Sequence, residues 1–222
     1  MSVMLTVARK ELLELQANKR ALISIAIFAM LFAWLNSSAF SELQWIFLST
    51  MIGMYASFSL SGQAFNQEKM SGTLETQFCG PVDIRDLWSG KILGTLIPAV
   101  VISYLAAVVS VILVLGEGPV AIGLPAVVYI AAVLPALVAS FIGLMGFVQL
   151  NFEARTTRMV SVGVMVLIFS MLAVLISLPQ NSAEVSWQSL ALLGVAAAGL
   201  LAVPAMLVNR LSKERIILTS EG

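Results

Sequence analysis

Apolar residues run through this chain in long blocks, separated by short polar stretches. A helix needs about 20 residues to cross a bilayer. Six blocks come near that length: Ala21–Phe40, Leu43–Ala64, Ile92–Leu115, Val120–Leu150, Met159–Leu178 and Trp187–Asn209. Asn36-Ser37-Ser38 interrupts the first. The fourth is the longest and carries Pro125 and Pro135, which predicts an oblique entry, a kink, or a start outside the hydrocarbon. Ahead of the first block, Leu5, Ala8, Leu12 and Leu15 recur on one face, opposite Lys10, Glu14 and Asn18. That spacing predicts an amphipathic helix over 1–20, lying at the membrane surface.

Between the second and third blocks lies the most polar stretch, Glu68-Lys69-Met70-Ser71-Gly72-Thr73-Leu74-Glu75 and on through Cys79-Gly80-Pro81-Val82-Asp83 to Lys91. It reads as a polar loop followed by a short helix. Pro81 ends whatever precedes it, and Asp83 suits an N-cap, its side-chain oxygen accepting from the free amides of the next turn. Ile84, Leu87 and Trp88 then share a face, with Arg85 and Asp86 turned elsewhere. A short amphipathic helix at the mouth of a span implies a partner pressing on it from outside the membrane.

Charge sets the orientation. With the amino terminus in the cytoplasm, every lysine and arginine falls inside: Arg9, Lys10, Lys19 and Arg20 on the leader, Lys69, Arg85 and Lys91 on the next inner connection, then Arg155 and Arg158, then Arg210, Lys213 and Arg215 on the tail. The outer loops hold only Glu42, Glu117 and Glu184. This follows the positive-inside rule. The expected fold is therefore an all-α polytopic membrane protein, 1–222 forming one transmembrane domain: an interfacial helix (1–20), six spans (21–209) and a cytosolic tail (210–222). Both termini are inside, at a cytoplasmic (inner) membrane.

Composition narrows the function. The 222 residues are 59% hydrophobic and 11% charged, with mean hydropathy +0.99. A single soluble core has no use for so much apolar surface. Net charge is zero, so there is no basic footprint for nucleic acid. There is no histidine, which removes the commonest general base and metal ligand. Cys79 is the only cysteine, which rules out an internal disulfide or a cysteine zinc cluster. No GxxxxGK[ST] loop is present, so energy must come from another chain or an ion gradient.

In this topology no ionisable residue lies in the middle of a span, which disfavours an ion-coupled carrier and an intramembrane hydrolase. Ser49, Gly53, Ser57 and Ser61 recur four apart in the second span. Small residues at that spacing admit a close neighbour helix. The stripe is either the wall of a substrate path or protomer seam, or ordinary packing within one protomer. Gly90/Gly94 and Gly194/Ala198/Ala202 repeat the pattern more weakly. The dispersed methionines, Met51 and Met145 among them, read as gap-fillers. Trp34, Trp45 and Trp187 fall where an interfacial aromatic belt belongs.

The stretch from Glu68 through Gly72-Thr73-Leu74-Glu75 and Pro81 to Gly90-Lys91-Ile92-Leu93 resembles the motif of ABC-2 type permeases, and Ala8-Arg9-Lys10-Glu11-Leu12 resembles their surface helix. The resemblance implies a non-enzymatic exporter subunit that pairs with a second copy of itself or a related permease and binds cytosolic ATPase subunits. Cofactors are expected only there, as ATP and Mg in the partner. Glu68, Gly72, Thr73, Leu74, Glu75, Pro81, Asp83, Ile84, Arg85, Leu87 and Trp88 would form the coupling interface. Thr73, Leu74 and the Ile84/Leu87/Trp88 face would sit in a groove of the ATPase, with charges making rim pairs. A pathway at the dimer interface, lined by spans two and five, would suit a hydrophobic or amphipathic substrate. Pro179–Ser186 is too short for the re-entrant helices of many relatives, and with Pro81-Val82-Asp83 this looks similar to the B subunit of the haem exporter of cytochrome c maturation. The rivals are a membrane scaffold that recruits a cytosolic protein without transporting, and an ATP-independent carrier.

Overall fold

The computed structural model describes residues 3–35, 42–73, 83–115, 122–152, 154–177 and 187–208. Leu74, Glu75, Cys79, Pro81 and the tail 210–222 lie outside the described residues. Every element among the described residues is helical. They are α1 (Val3–Ala17), α2 (Lys19–Leu35), α3 (Glu42–Ser61) continuing through a π segment (Gly62–Gln67) into the single turn α4 (Glu68–Met70), then α5 (Ile84–Leu115), α6 (Leu124–Val128), a second π segment (Tyr129–Val133), α7 (Leu134–Asn151), α8 (Ala154–Ser177) and α9 (Trp187–Val208). Among the described residues, three helical stretches are long and apolar enough to cross a membrane: Ile84–Ile112, Leu124–Asn151 and Trp187–Val208. A fourth is reached if α1 and α2 are taken together.

The leader turns sharply into α2, by 77°. Asn18 makes the corner. Its amide donates back to the Glu14 and Leu15 carbonyls, and its own carbonyl accepts from Ala21 and Leu22. The amphipathic reading of α1 needs one correction. Leu15 is buried as expected, but Leu5 is 49% exposed, and Glu11 takes a place in the buried face. That face is covered by α5, which α1 packs against extensively.

α5 is the central helix, in contact with α1, α2, α3 and α7, while α9 packs on α7. The short helix expected after Asp83 is not a separate element. Ile84–Leu115 is one helix of 32 residues, opened by the Asp83 carbonyl accepting from the Leu87 amide at 3.0 Å. At 1.5 Å per residue it is about 48 Å long, more than the ~30 Å hydrocarbon core.

The disturbance expected at Pro125 and Pro135 takes a specific form. Pro125 sits in the first turn of α6, where a missing amide costs nothing. Pro135 is preceded by the π segment, in which the Leu134 amide bonds the Tyr129 carbonyl. In that wider register the Ile130 carbonyl faces a proline nitrogen with no hydrogen. The Tyr104 hydroxyl donates to it instead, at 3.1 Å. Trp45 is likewise not an interfacial residue: it is buried, and its indole donates to the Ala107 carbonyl on α5 at 3.1 Å.

Candidate functional site

The residues that carried the sequence motif meet where α1, the end of α3 and the start of α5 come together. The hub is Lys91, 0% exposed. Its Nζ donates to Glu11 Oε1 at 2.6 Å, to Glu68 Oε2 at 2.6 Å and to the Ala64 carbonyl at 2.5 Å. An ammonium has three hydrogens, and all three are used. The Ala64 carbonyl lies in the first π segment. Lys91 Nζ also stands 5.4 Å over the Phe65 ring. That ring lies against α7 at Gly146, where a Cβ would come within 2.6 Å of it.

A second lysine flanks the cluster on its open side. Lys10 Nζ lies 2.5 Å from Glu68 Oε1 and 3.3 Å from Glu14. The carboxylate oxygens of Glu11, Glu14 and Glu68 approach within 4.8 Å of one another, and Lys10 and Lys91 meet their charge. Beside them is a cleft of about 540 Å³ between α1 and the end of α3, with Asn18 and Gln63 joined across it at 3.2 Å.

The two buried carboxyls titrate in opposite directions. Burial is the largest influence on both and raises each. For Glu68, the Lys91 charge and hydrogen bonds from Lys10 and Lys91 overturn it, and its pKa is lowered. Glu11 relies mainly on Lys91, and burial wins, so its pKa is raised. Lys10, although burial works against its charge, is raised by its bond to Glu68 and by the surrounding carboxylates.

The next residue fastens the same turn in another direction. Lys69 Nζ donates to the Phe152 carbonyl at 2.5 Å and the Gln149 carbonyl at 3.4 Å. These are terminal carbonyls of α7, where a cation also meets the negative end of the helix. One turn of helix thus holds α1 and α5 through Glu68 and α7 through Lys69. Gly72 then ends it at φ 69°, a left-handed conformation that favours glycine. The Ser71 and Thr73 hydroxyls both donate to the Glu68 carbonyl, at 3.1 and 3.2 Å.

Other expected site residues are distributed unevenly. Asp83 and Arg85 are exposed, as is Thr73, and Ile84 is half-buried. Leu87 and Trp88 do not face outward. Both are buried within the chain, and the Trp88 indole donates to the Gly143 carbonyl of α7 at 3.1 Å. Two of the three side chains expected to anchor a partner, Leu87 and Trp88, are thus covered within this chain, Trp88 by α7. The small-residue stripe is also filled from within. Ser49, Gly53, Ser57 and Ser61 are buried, and a Cβ on Gly53 would meet Ser103 of α5 at 2.8 Å and Val138 of α7 at 3.0 Å. Packing inside one protomer therefore covers these four positions.

The sequence places Lys10, Glu11 and Lys91 within the motifs that carry the resemblance, but gives no sign that the three meet in one cluster. A signal existed for Glu11: it falls three after Ala8 and four before Leu15, on the apolar face. An isolated charge on such a face needs a buried counter-ion.

No curated protein matches the chain. A family model described as ABC-2 family transporter protein matches residues 9–212, which span Glu11, Glu68 and Lys91 alike. The chain belongs to the ABC-2 family of transporter proteins.

Proposed function

We propose that this chain is the permease subunit of an ATP-binding cassette exporter, driven by a separate cytosolic ATPase that docks on the segment from Glu68 to Arg85. The subunit spans the cytoplasmic membrane six times with both termini inside, pairs with a second copy of itself, and passes a hydrophobic or amphipathic substrate. ATP and Mg belong to the partner. The family membership supports a partner of this kind.

The observation that carries the coupling role is the way this segment is built into the helices on both sides. Its first turn is fastened to α1, α5 and α7 by Glu68 and Lys69. Its far end is the first turn of α5 itself, with no break before the long helix. A load applied between these points reaches the membrane helices as a rigid-body displacement. Met70, 71% exposed, with Thr73, Asp83 and Arg85 supplies the outward side chains, and Leu74, Glu75 and Pro81 continue the same connection. Trp88 holds α5 to α7 from behind.

Co-purification tests it. The chain is expressed with candidate ATPases from its own genome, as wild type and as Glu75→Lys and Arg85→Glu. The reading expects a stable complex with wild type, lost in both variants while each remains monodisperse in detergent. A wild-type chain that retains no ATPase, or that retains an unrelated cytosolic protein, favours the scaffold reading instead.

A further inference from the structure

The ion cluster joins the docking segment to an element that no motif places in the drive train, the membrane-surface helix α1. We propose that Lys91 is a positioning residue for coupling, which locks α1 to the end of α3 and the start of α5 so that the three move as one body when the ATPase closes. This rests on the permease reading above.

Two independent features of the α1–α5 contact support it. The first is steric. A Cβ on Gly90 would lie 2.8 Å from the Met4 carbonyl and from Val7 Cβ, and one on Gly94 would lie 2.6 Å from Glu11 Cβ and 2.8 Å from the Ala8 carbonyl. The two backbones are therefore in direct contact on either side of Lys91, in one register. The second is ionic. Lys91 reaches α1 through Glu11, the π segment through the Ala64 carbonyl and α4 through Glu68, with one nitrogen.

Holding α1 in place does not by itself require such a hub. Apolar side chains of similar volume commonly stabilise a buried contact as well or better, because ions lose their hydration. An ion cluster differs from an apolar contact in direction: its bonds resist sliding and separation alike. α1 is joined at Asn18 to α2, so a displacement delivered through Lys91 also reaches α2.

The test uses the full chain with its co-purifying ATPase in lipid nanodiscs. Genetically encoded spin labels at Arg9 on α1 and Val195 on α9, both exposed, report the distance between these helices with and without ATP and vanadate. The inference expects an ATP-dependent shift in wild type, its loss in Lys91→Met, a reduction by at least half in Glu11→Gln, and its retention in Lys91→Arg. ATPase binding and hydrolysis persist in all. Glu11→Gln keeps size and a hydrogen-bond acceptor, so it decides the matter if Lys91→Met does not fold. An undiminished shift in Glu11→Gln or Lys91→Met, or no shift in a wild-type complex that hydrolyses ATP, overturns the inference and leaves the permease reading standing. Absence of any co-purifying ATPase overturns both.

Discussion

The body of α3 and its inner end follow opposite rules. In the body, Ser49, Ser57 and Ser61 donate to carbonyls of their own helix, Ile46, Gly53 and Phe58. These three serines add little polarity and let α5 and α7 come close. Neutral cross-helix bonds of the body run from Trp45 to the Ala107 carbonyl and between Thr50 and the Tyr129 hydroxyl. Past the π segment, the Glu68 and Lys69 side chains bond three other elements, α1, α5 and α7. Contact by shape tolerates small sliding, whereas contact by paired charges fixes a register. One helix thus joins a body held mostly by close packing and neutral hydrogen bonds to an end held by paired charges.

The largest expected effect comes from breaking the charged end. Lys91→Met leaves Glu11 and Glu68 without their shared counter-ion, and losing one partner of a buried pair costs roughly 3–5 kcal/mol. Denaturant unfolding of the purified chain should show it. A Gly94→Val variant is next, at about 1–3 kcal/mol for overpacking, because its Cβ meets Glu11 Cβ at 2.6 Å. Trp88→Phe keeps an aromatic ring but loses the pyrrole part of the indole and its bond to Gly143, the bond alone worth about 1 kcal/mol. Ser57→Ala should change stability by less than about 0.5 kcal/mol, because the Gly53 carbonyl it bonds is within its own helix.

Acidity sharpens the same contrast. Glu68, lowered from 4.5, contributes stability that is present above that value and lost as pH falls through its depressed pKa. Glu11, raised from 4.5, contributes stability that is present below that value and lost as pH rises through its elevated pKa. Unfolding followed across pH should therefore show a gentler loss above 4.5 in Glu11→Gln than in wild type. A Ser57→Ala chain should keep the wild-type profile.

Much of this was legible before any coordinates. Helical spacing marks α1, and the prolines mark where the long helix Leu124–Asn151 is irregular. What periodicity gives is a face, and it does not say who covers it. Leu87 and Trp88 occupy an apolar face as read, yet both are buried within the chain, Trp88 against α7. The same ambiguity applies to the serine stripe, where α5 and α7 of the same chain lie against Gly53. Glu11 and Lys91 are 80 residues apart, and no local pattern connects charges at that separation.

The most direct measurement is site-specific photocrosslinking in intact cells, with the photoreactive residue at Met70, at Arg85, or at Val195 as the control on α9. The account predicts that Met70 and Arg85 each capture a protein carrying a nucleotide-binding loop, identified by mass spectrometry, and that Val195 does not. Failure of both inner positions to capture such a protein, or equal capture from Val195, would contradict the claim that this segment receives the ATPase.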